Sequence, residues 1–353
     1  MNLTGATPQT LRSAGSLEEL YRALATVDMG PGWNKSTPSL YPSPKKKFPA
    51  AIWHYAQAKA ALDAAGRLIN TELAERRNLI LANTGAGSDY ATSTTLVSAY
   101  QMIMPGEHAR SHRHTPNAVR MVVEGDGAWS AVDGEKCTML PGDLILTPTG
   151  LWHEHGHDGD QPVVWLDVLD LPLVHYMEAS YHVDGGRQTV AGGRGERAYA
   201  RGGVVPTPVF QRASERGGRA YPMLRYPWAD TRAALEALAA DRPELEAVQV
   251  SYVNPETGAD AQNILGFHAL MLRPSQTLRL PVRSPAVVFH VIEGAAAVQV
   301  EDQRFALAKA DTCCAPGYCA VTLTNASLDT PSFLFIADET PLHKKLGIFE
   351  TRA

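Results

Sequence analysis

HRHTPNAVRMVVEGDGAW, residues 112–129, is the stretch of sequence that decides the fold. It begins with two histidines at alternate positions, His112 and His114, and continues through a mainly apolar run to a Gly-Asp-Gly turn. Side chains two residues apart on a strand point to the same face of a sheet. The stretch therefore predicts a strand that presents two imidazoles on one face, followed by a second strand and a turn.

Two glycine-framed motifs enclose this stretch. The first, G-x5-H-x-H, runs from Gly106 to His114 and is followed by Gly125, and the second, G-x5-P-x-G-x2-H, runs from Gly142 to His153. A single histidine in an apolar strand is more often a packed core residue than a metal ligand. Three histidines in two framed motifs instead predict an open metal site, with coordination positions left for a substrate.

The strand pattern occurs in two regions of the chain. Short alternating or apolar segments, separated by turn-forming pairs, cover about residues 77–165 and return near residue 265. Val-Ile-Glu-Gly at 291–294 matches Val-Val-Glu-Gly at 122–125, and Ala-Asp-Thr at 310–312 matches Gly-Asp-Leu at 142–144. Closely spaced strands with turn signals indicate an antiparallel sandwich or barrel, and the repeat predicts one barrel duplicated. The expected fold class is mainly β with a few flanking helices.

The second copy lacks the histidines of the first. Pro281 and Arg283 stand at the two H-x-H positions, and Val321 stands at the position of the third histidine. None of these residue types is a usual metal ligand. The carboxy-terminal barrel is therefore predicted to be metal-free and to have a structural or interfacial role.

Helix signals and loop composition complete the predicted organisation. A capping box at Ser16-Leu17-Glu18-Glu19 predicts a helix through about Thr26, and further helices are predicted over 52–62 and 231–241. Residues 183–220 hold most of the Gly-Gly pairs and read as a connecting loop. Four segments are predicted. They are a helical arm at 1–75, a metal-binding barrel at 76–182, a connecting loop with a helix at 183–245, and a metal-free barrel at 246–353.

Composition excludes several classes of protein. The net charge is −5, and the longest basic run is Lys45-Lys46-Lys47, so nucleic-acid binding has no electrostatic basis. No apolar stretch reaches the ~20 residues that span a bilayer, and the amino terminus lacks a signal-peptide pattern. The four cysteines form no disulfide framework and lack zinc-site spacing. We expect a cytoplasmic enzyme with reduced thiols. We expect it to bind neither a membrane nor nucleic acid.

The two histidine motifs resemble those of the cupin superfamily. The first cupin motif usually carries a glutamate ligand four positions after its second histidine, where this chain has Ala118. That departure leaves an all-histidine site. It also argues against cupins that depend on the glutamate, such as flavonol or diketone dioxygenases.

A larger set of residues narrows the resemblance and covers most of the chain. The set is Glu75-Arg76-Arg77, Gln101, Met104-Pro105-Gly106-Glu107, His112-Arg113-His114-Thr115, Arg120, Val123-Glu124-Gly125, Pro141-Gly142-Asp143, Trp152-His153-Glu154-His155-Gly156 and Trp165-Leu166-Asp167. Together these motifs resemble the gentisate, salicylate and 1-hydroxy-2-naphthoate 1,2-dioxygenase family.

This resemblance implies a bicupin, with two antiparallel jelly-roll barrels and Fe(2+) held by His112, His114 and His153. Family members use O2 to cleave an aromatic ring between the carbon that bears the carboxylate and the carbon that bears the ortho hydroxyl. They incorporate both oxygen atoms, serve bacterial aromatic catabolism and are commonly homotetramers. The partners implied are a small aromatic carboxylate, O2 and further copies of the chain.

Arginines and a glutamine are the predicted substrate-binding residues. Arg120 shares strand parity with the H-x-H pair, so its guanidinium is expected to face the cavity and hold the substrate carboxylate. Arg76 matches a substrate-facing arginine of the family, with Arg77 beside it as the surface alternative. Gln101 is predicted to hydrogen-bond the substrate, although core packing at a strand end is the alternative.

Two further residues are predicted to be catalytic. His155 shares parity with the ligand His153, which places it near the metal, where it can orient oxygen or move a proton. Asp167 follows an apolar strand and is predicted to hold an imidazole in its working tautomer, with a plain buried salt bridge as the alternative.

The segment before the first motif departs from the family pattern. A Leu-Trp-Ala-Gly-Leu-Gln type run is replaced by Leu96 to Gln101, so Val97 takes the place of a tryptophan, and Val97 and Ala99 are predicted to line the substrate pocket. Asn78 occupies a position that is usually small or aliphatic. The substrate is therefore left open between gentisate and a 5-substituted salicylate such as 5-nitrosalicylate. A 1-hydroxy-2-naphthoate 1,2-dioxygenase and a non-catalytic small-molecule-binding cupin are the alternatives.

Overall fold

The structure is a computed structural model that describes residues 5–70, 74, 76–186, 199 and 221–352. The chain divides into two compact units, Met1–Lys45 and Lys46–Ala353. Most of the predicted connecting loop over 183–220 lies outside the described residues. No helix among the described residues is long and apolar enough to cross a bilayer.

The first unit holds two short helices, α1 (Pro8–Arg12) and α2 (Leu17–Ala25). The predicted start of α2 is confirmed, because the Ser16 hydroxyl accepts a hydrogen bond from the Glu19 amide at 3.2 Å. The Glu19 carboxylate in turn accepts from the Gly15 amide at 2.7 Å. The side chains thus satisfy backbone amides that the first turn of a helix leaves unpaired.

The second unit opens with strand β1 (Ala51–Trp53) and helix α3 (Tyr55–Leu68). The prediction of a helix over 52–62 is wrong at its start, because β1 pairs with Thr312–Ala315 near the other end of the chain. Strand pairing of this kind depends on a distant partner, so it overrides the local helical pattern. The helix begins after His54 and continues six residues beyond the predicted end.

The first barrel is built from two antiparallel sheets. One sheet has six strands in the order β12-β8-β5-β10-β3-β2, and the other has five in the order β11-β4-β9-β6-β7. Helix α4 (Leu171–Tyr176) follows β10. The strands are β2 (Arg77–Ile80), β3 (Val97–Ile103), β4 (His108–His114), β5 (Ala118–Glu124), β6 (Ala128–Val132), β7 (Glu135–Thr138), β8 (Leu144–Thr147), β9 (His153–His157), β10 (Val163–Leu169), β11 (His182–Asp184) and β12 (Arg225–Tyr226).

The second barrel repeats this plan after helix α5 (Trp228–Asp241). Its strands are β13 (Val248–Ser251), β14 (Gly266–Leu272), β15 (Thr277–Leu280), β16 (Val282–Arg283), β17 (Val287–Glu293), β18 (Ala296–Val300), β19 (Gln303–Leu307), β20 (Thr312–Ala315), β21 (Val321–Thr324), β22 (Ser332–Asp338) and β23 (Thr351–Arg352), with helix α6 (Thr340–Lys345) after β22. The sheet orders are β1-β20-β17-β22-β14-β13, β15-β21-β18-β19 and β16-β23. The predicted mainly β class is confirmed.

Each barrel pairs with the strand that precedes the other barrel in the sequence and accepts a hydrogen bond from the start of the helix beside that strand. Strand β1 joins the large sheet of the second barrel, and β12 joins the large sheet of the first. The Tyr55 amide at the start of α3 donates to Asp311 at 2.7 Å, and the Trp228 amide at the start of α5 donates to Asp143 at 2.9 Å. Both aspartates belong to the repeated turn motif, so the repeat encodes a reciprocal docking of the two halves.

The start of α5 also explains the glycine at position 142. Gly142 has a φ of +86°, and a Cβ atom there would lie 2.4 Å from the Trp228 ring. Only glycine meets both requirements without strain. The helix begins three residues before the predicted Thr231, since its first turn is set by this tertiary contact.

Two apolar clusters fill the second unit. One fills the interior of the second barrel and includes Leu270, Phe289 and Ile336. The other includes residues of both large sheets, among them Met121 from the first barrel and Phe335 from the second. The two large sheets therefore pack against one another, and the opposite face of each sheet lines its own barrel.

Candidate metal centre and substrate pocket

Strands β4 and β9 bring the three predicted ligand histidines together. His112 and His153 are directly opposed across the two strands, and His114 lies two residues further along β4. One ligand-capable nitrogen from each ring lies within 4.8 Å of those from the other two rings. His112 and His153 are buried, and His114 is partly buried. The arrangement forms a three-histidine site with the geometry to hold one metal ion.

Backbone carbonyls hold the three rings in one tautomer. The Nδ1 atoms of His112, His114 and His153 lie 3.0, 2.8 and 3.0 Å from carbonyl oxygens two residues away in the chain. A carbonyl only accepts, so each Nδ1 carries the proton and each Nε2 keeps its lone pair. The Nε2 of His153 is buried and has no hydrogen-bond partner among the described residues. These are the properties of imidazoles prepared to bind a metal.

Burial also keeps the imidazoles of His114 and His153 neutral. Burial, assisted by the nearby His112, lowers the pKa of His114 to about 4. Burial and the positive charge of Arg120 lower the pKa of His153 well below its usual value. Metal binding requires deprotonated ligands, so the site is ready for a cation at neutral pH without releasing protons from these two rings.

A chain of polar contacts lies on the sheet formed by β3, β5 and β10. Gln101 accepts from Arg76 through its oxygen and donates to Asp167 at 2.8 Å through its nitrogen. Asp167 also pairs with Arg120 at 3.4 Å, and Arg120 donates to Thr147. Gln101, Arg120 and Asp167 are buried, and burial raises the pKa of Asp167 against the opposing effect of Arg120. The structure thus joins four of the predicted site residues in one network.

His155 lies on the same strand and the same face as His153. Its side chain is fully buried, and neither ring nitrogen has a hydrogen-bond partner among the described residues. The ring packs 5.5 Å from the Trp165 ring and 6.1 Å from the His153 ring. Burial, assisted by Arg120, lowers the pKa of His155 well below its usual value, so its imidazole is neutral.

The predicted pocket residues lie on β3 and the strand beside it. Val97, Ala99 and Gln101 alternate along β3, and all three are buried. Asn78 is directly opposed to Gln101 across β2 and β3. Directly opposed residues project from the same face of a sheet, so Asn78 shares the face that carries Gln101.

His182 was missed by sequence reasoning. It lies on β11, directly opposed to His114, and its ring is 5.1 Å from the His112 ring. The His182 side chain is about half exposed, at 51%. Its only signal in the sequence was the alternation His182-Val183-Asp184, which sits at the boundary of a segment read as loop. The interaction of Thr147 with Arg120 was likewise not predicted.

The second barrel carries an ion pair near the positions that correspond to the H-x-H pair. Arg283 donates to Asp338 at 3.1 Å, and the Asp338 side chain is fully buried. Among the described residues, the group of His, Cys, Asp and Glu side chains able to hold a metal is the one formed by the first-barrel histidines. The absence of ligands from the second barrel stays a prediction.

Comparisons with known proteins agree with this geometry. Residues 99–169 match a family model described as a cupin domain. The chain is 62% identical to a gentisate 1,2-dioxygenase from Ralstonia sp over 96% of each chain, and 29% identical to a 5-aminosalicylate 1,2-dioxygenase from Comamonas sp over 96% of this chain and 90% of that one. A crystal structure of salicylate 1,2-dioxygenase from Pseudaminobacter salicylatoxidans superposes with a TM-score of 0.85 at 30% identity, covering 96% of this chain and 97% of that one.

Proposed function

The chain belongs to the gentisate, salicylate and 1-hydroxy-2-naphthoate 1,2-dioxygenase family, and from this premise we propose that it opens the ring of gentisate with O2 at a ferrous ion. It is a ring-cleaving dioxygenase, and the bond proposed to break joins C1, which bears the carboxylate, to C2, which bears a hydroxyl. The observation that carries the choice of gentisate is the similarity to the Ralstonia gentisate 1,2-dioxygenase along nearly the whole chain.

The donor set fits a ferrous ion. His112, His114 and His153 would hold it through their Nε2 atoms, because each Nδ1 is occupied by a backbone carbonyl. A ferrous ion bound there supplies neighbouring open positions, which bring the aromatic acid and O2 together, and one-electron chemistry for O2.

Arg120 and Arg76 are the groups proposed to bind the substrate carboxylate. A guanidinium can donate two parallel hydrogen bonds to a carboxylate, and exclusion of water strengthens that interaction. Asp167 and Gln101 hold the two guanidinium groups in place. The aromatic acid is therefore oriented by groups whose own positions are already fixed, which is how binding lowers the entropic part of the barrier.

His155 is proposed to accept the proton of the substrate hydroxyl that lies beside the carboxylate. The described residues give neither of its ring nitrogens a competing partner. Burial and Arg120 lower its pKa, and the negative charge of the bound aromatic acid opposes that effect. A base held near the reacting atoms without a protein partner can exchange a proton with the substrate and return it later. The Trp165 ring keeps the imidazole in place and helps to exclude water.

Asn78 is proposed to favour gentisate over salicylate. Gentisate carries a second hydroxyl para to the first, and the Asn78 amide can both donate to and accept from a hydroxyl. The Asn78 side chain is exposed in this structure, so it discriminates against an analogue without the hydroxyl only when the bound ring covers it. The 5-substituted salicylates remain the second candidate, because Val97 replaces the tryptophan of the family pattern and enlarges the pocket.

The test is a substrate screen on the purified protein after anaerobic loading with ferrous iron. Gentisate, salicylate, 5-aminosalicylate, 5-nitrosalicylate and 1-hydroxy-2-naphthoate are compared by O2 uptake and by absorbance of the ring-opened product. We expect the highest kcat/KM with gentisate. A higher kcat/KM with another acid would reject gentisate as the preferred substrate. The absence of O2 uptake with every acid would reject the dioxygenase function.

Two further proposals follow from family membership. We propose that the chain forms a homotetramer and acts in the cytoplasm, as part of bacterial aromatic catabolism. Light scattering of the purified protein tests the first, since a tetramer has four times the 38.1 kDa mass of one chain. Fractionation of the source cells, with dioxygenase activity as the readout, tests the second.

A further inference from the structure

A buried polar network connects the substrate-facing strand of the first barrel to the second barrel. Tyr100 lies on β3 and is fully buried. Its hydroxyl donates to the Ala310 carbonyl and lies 2.7 Å from the Thr312 hydroxyl, both in the second barrel. Thr312 is in turn 3.0 Å from Nδ1 of His290, which is also buried.

This network stands inside the apolar cluster between the two large sheets. That cluster includes Met102, Met121 and Phe335, and the centre of the Tyr55 ring lies 5.2 Å from the centre of the Tyr100 ring. Moving polar groups from water into the protein interior costs free energy. Apolar residues of similar size in their place often stabilise a protein at least as well. A fully paired polar network in such a place specifies one arrangement of the elements that it joins.

The network fixes the position of β3 against the second barrel. Tyr100 stands between Ala99 and Gln101, whose side chains point to the opposite face of the strand, toward the proposed substrate pocket. Gln101 in turn contacts both Arg76 and Asp167. The corresponding fourth residue of β14 in the second barrel is Ala269, so only the barrel with the histidine cluster has this tyrosine.

We propose that Tyr100 is a positioning residue, whose hydroxyl, held by Ala310 and Thr312 of the second barrel, seats Gln101 between Arg76 and Asp167. The second barrel thereby contributes to binding of the aromatic acid. This inference rests on the proposed function, because it assigns a role in binding the same substrate.

The test is Tyr100→Phe, which removes the hydroxyl and keeps the ring. Loss of one hydrogen bond between neutral groups costs about 1 kcal/mol of stability. Only the part of that energy that positions Gln101 affects binding, so KM for gentisate is expected to rise by about twofold to fivefold. The kcat and the iron content should stay within about twofold of wild type, because the histidines are untouched. Thr312→Val, in which the Ala310 carbonyl still accepts from Tyr100, should raise KM by less and provides a second variant should Tyr100→Phe fail to fold.

A binding measurement provides a readout apart from turnover. Quenching of tryptophan fluorescence gives the Kd of gentisate for the iron-loaded protein kept free of O2, and Tyr100→Phe is expected to raise this Kd by a similar factor. Adding Tyr100→Phe to Gln101→Ala should produce no further loss, because both variants disturb one interaction. If gentisate binds but its ring is never opened, the proposed function fails, while the effect of Tyr100 on Kd still decides this inference.

Tyr226→Phe is the matched control. Tyr226 is also buried, and its hydroxyl donates to a backbone carbonyl, that of Val253, at 2.8 Å. Both variants should lower the free energy of unfolding by about 1 kcal/mol, but only Tyr100→Phe should change KM and Kd. Equal losses of stability with KM and Kd unchanged in both would show that Tyr100 is merely structural and would overturn the inference.

Discussion

Glu339 and Asp170 occupy the same place in the two barrels and should give the protein two distinct pH-dependent losses of stability. Asp170 follows β10 and accepts from the Asn117 amide at 2.7 Å, and Glu339 follows β22 and accepts from the Ala286 amide at 2.8 Å. Both side chains are buried. Burial raises the pKa of Asp170 to about 6, and burial together with the adjacent Asp338 raises that of Glu339 to about 8.

The direction in which pH changes the stability follows from the number of protons bound in the folded and unfolded states. Between its unfolded pKa of 4.5 and its folded pKa of about 8, Glu339 holds a proton in the folded protein and loses it on unfolding. The stability that it contributes is therefore fully present below pH 4.5 and is lost as the pH rises to 8. At about 1.4 kcal/mol per pH unit, the total loss is about 5 kcal/mol.

The variant Glu339→Gln replaces the titrating group with a neutral one of similar shape. The free energy of unfolding, measured by urea titration of the metal-free protein from pH 5 to pH 8, should fall less steeply in the variant than in wild type. Asp170→Asn is the internal comparison, because its smaller effect, about 3 kcal/mol in total, should be complete by about pH 6. Parallel wild-type and Glu339→Gln curves across this range would refute the raised pKa of Glu339.

Three further predictions concern the site and its dependence on both barrels. His112→Ala should reduce bound iron, measured by elemental analysis, by at least about tenfold, whereas Arg283→Lys in the second barrel should leave it unchanged. Asn78→Ala should lower kcat/KM for gentisate by about tenfold, as expected for a lost hydrogen bond to substrate, and change the value for salicylate little. A chain truncated to residues 1–245 should not fold cooperatively by circular dichroism, because it lacks the strand that pairs with β1 and the Asp311 carboxylate that binds the start of α3.

A different result would contradict each of these three predictions. Iron retained by His112→Ala would exclude the three-histidine site. Equal losses for gentisate and salicylate would assign Asn78 a structural role. A truncated chain that melts cooperatively and binds iron would show that the first barrel is stable without its partner, contrary to the reciprocal docking.

Local sequence pattern was sufficient to identify the two strand-rich regions, the repeat and the three histidines that cluster. Alternation along a strand has a period of two, so His112 and His114 could be assigned to one face without knowing the partner strands. Arg120 lies on β5 of the other sheet, so its place near the histidines depends on how the two sheets enclose the barrel. The turn glycines marked where the strands end. The family resemblance, carried by the residues around these histidines, pointed to the same chemistry as the comparisons.

The tertiary structure alone decided which distant segments meet. Ala51–Trp53 forms a strand because its partner lies at Thr312–Ala315, and no local signal records a pairing across that length of chain. His182 reaches the histidine cluster, and Tyr100 reaches the second barrel, for the same reason. Short-range geometry along a strand determines on which face of the sheet a side chain lies. The group that this side chain contacts depends on how whole sheets pack together.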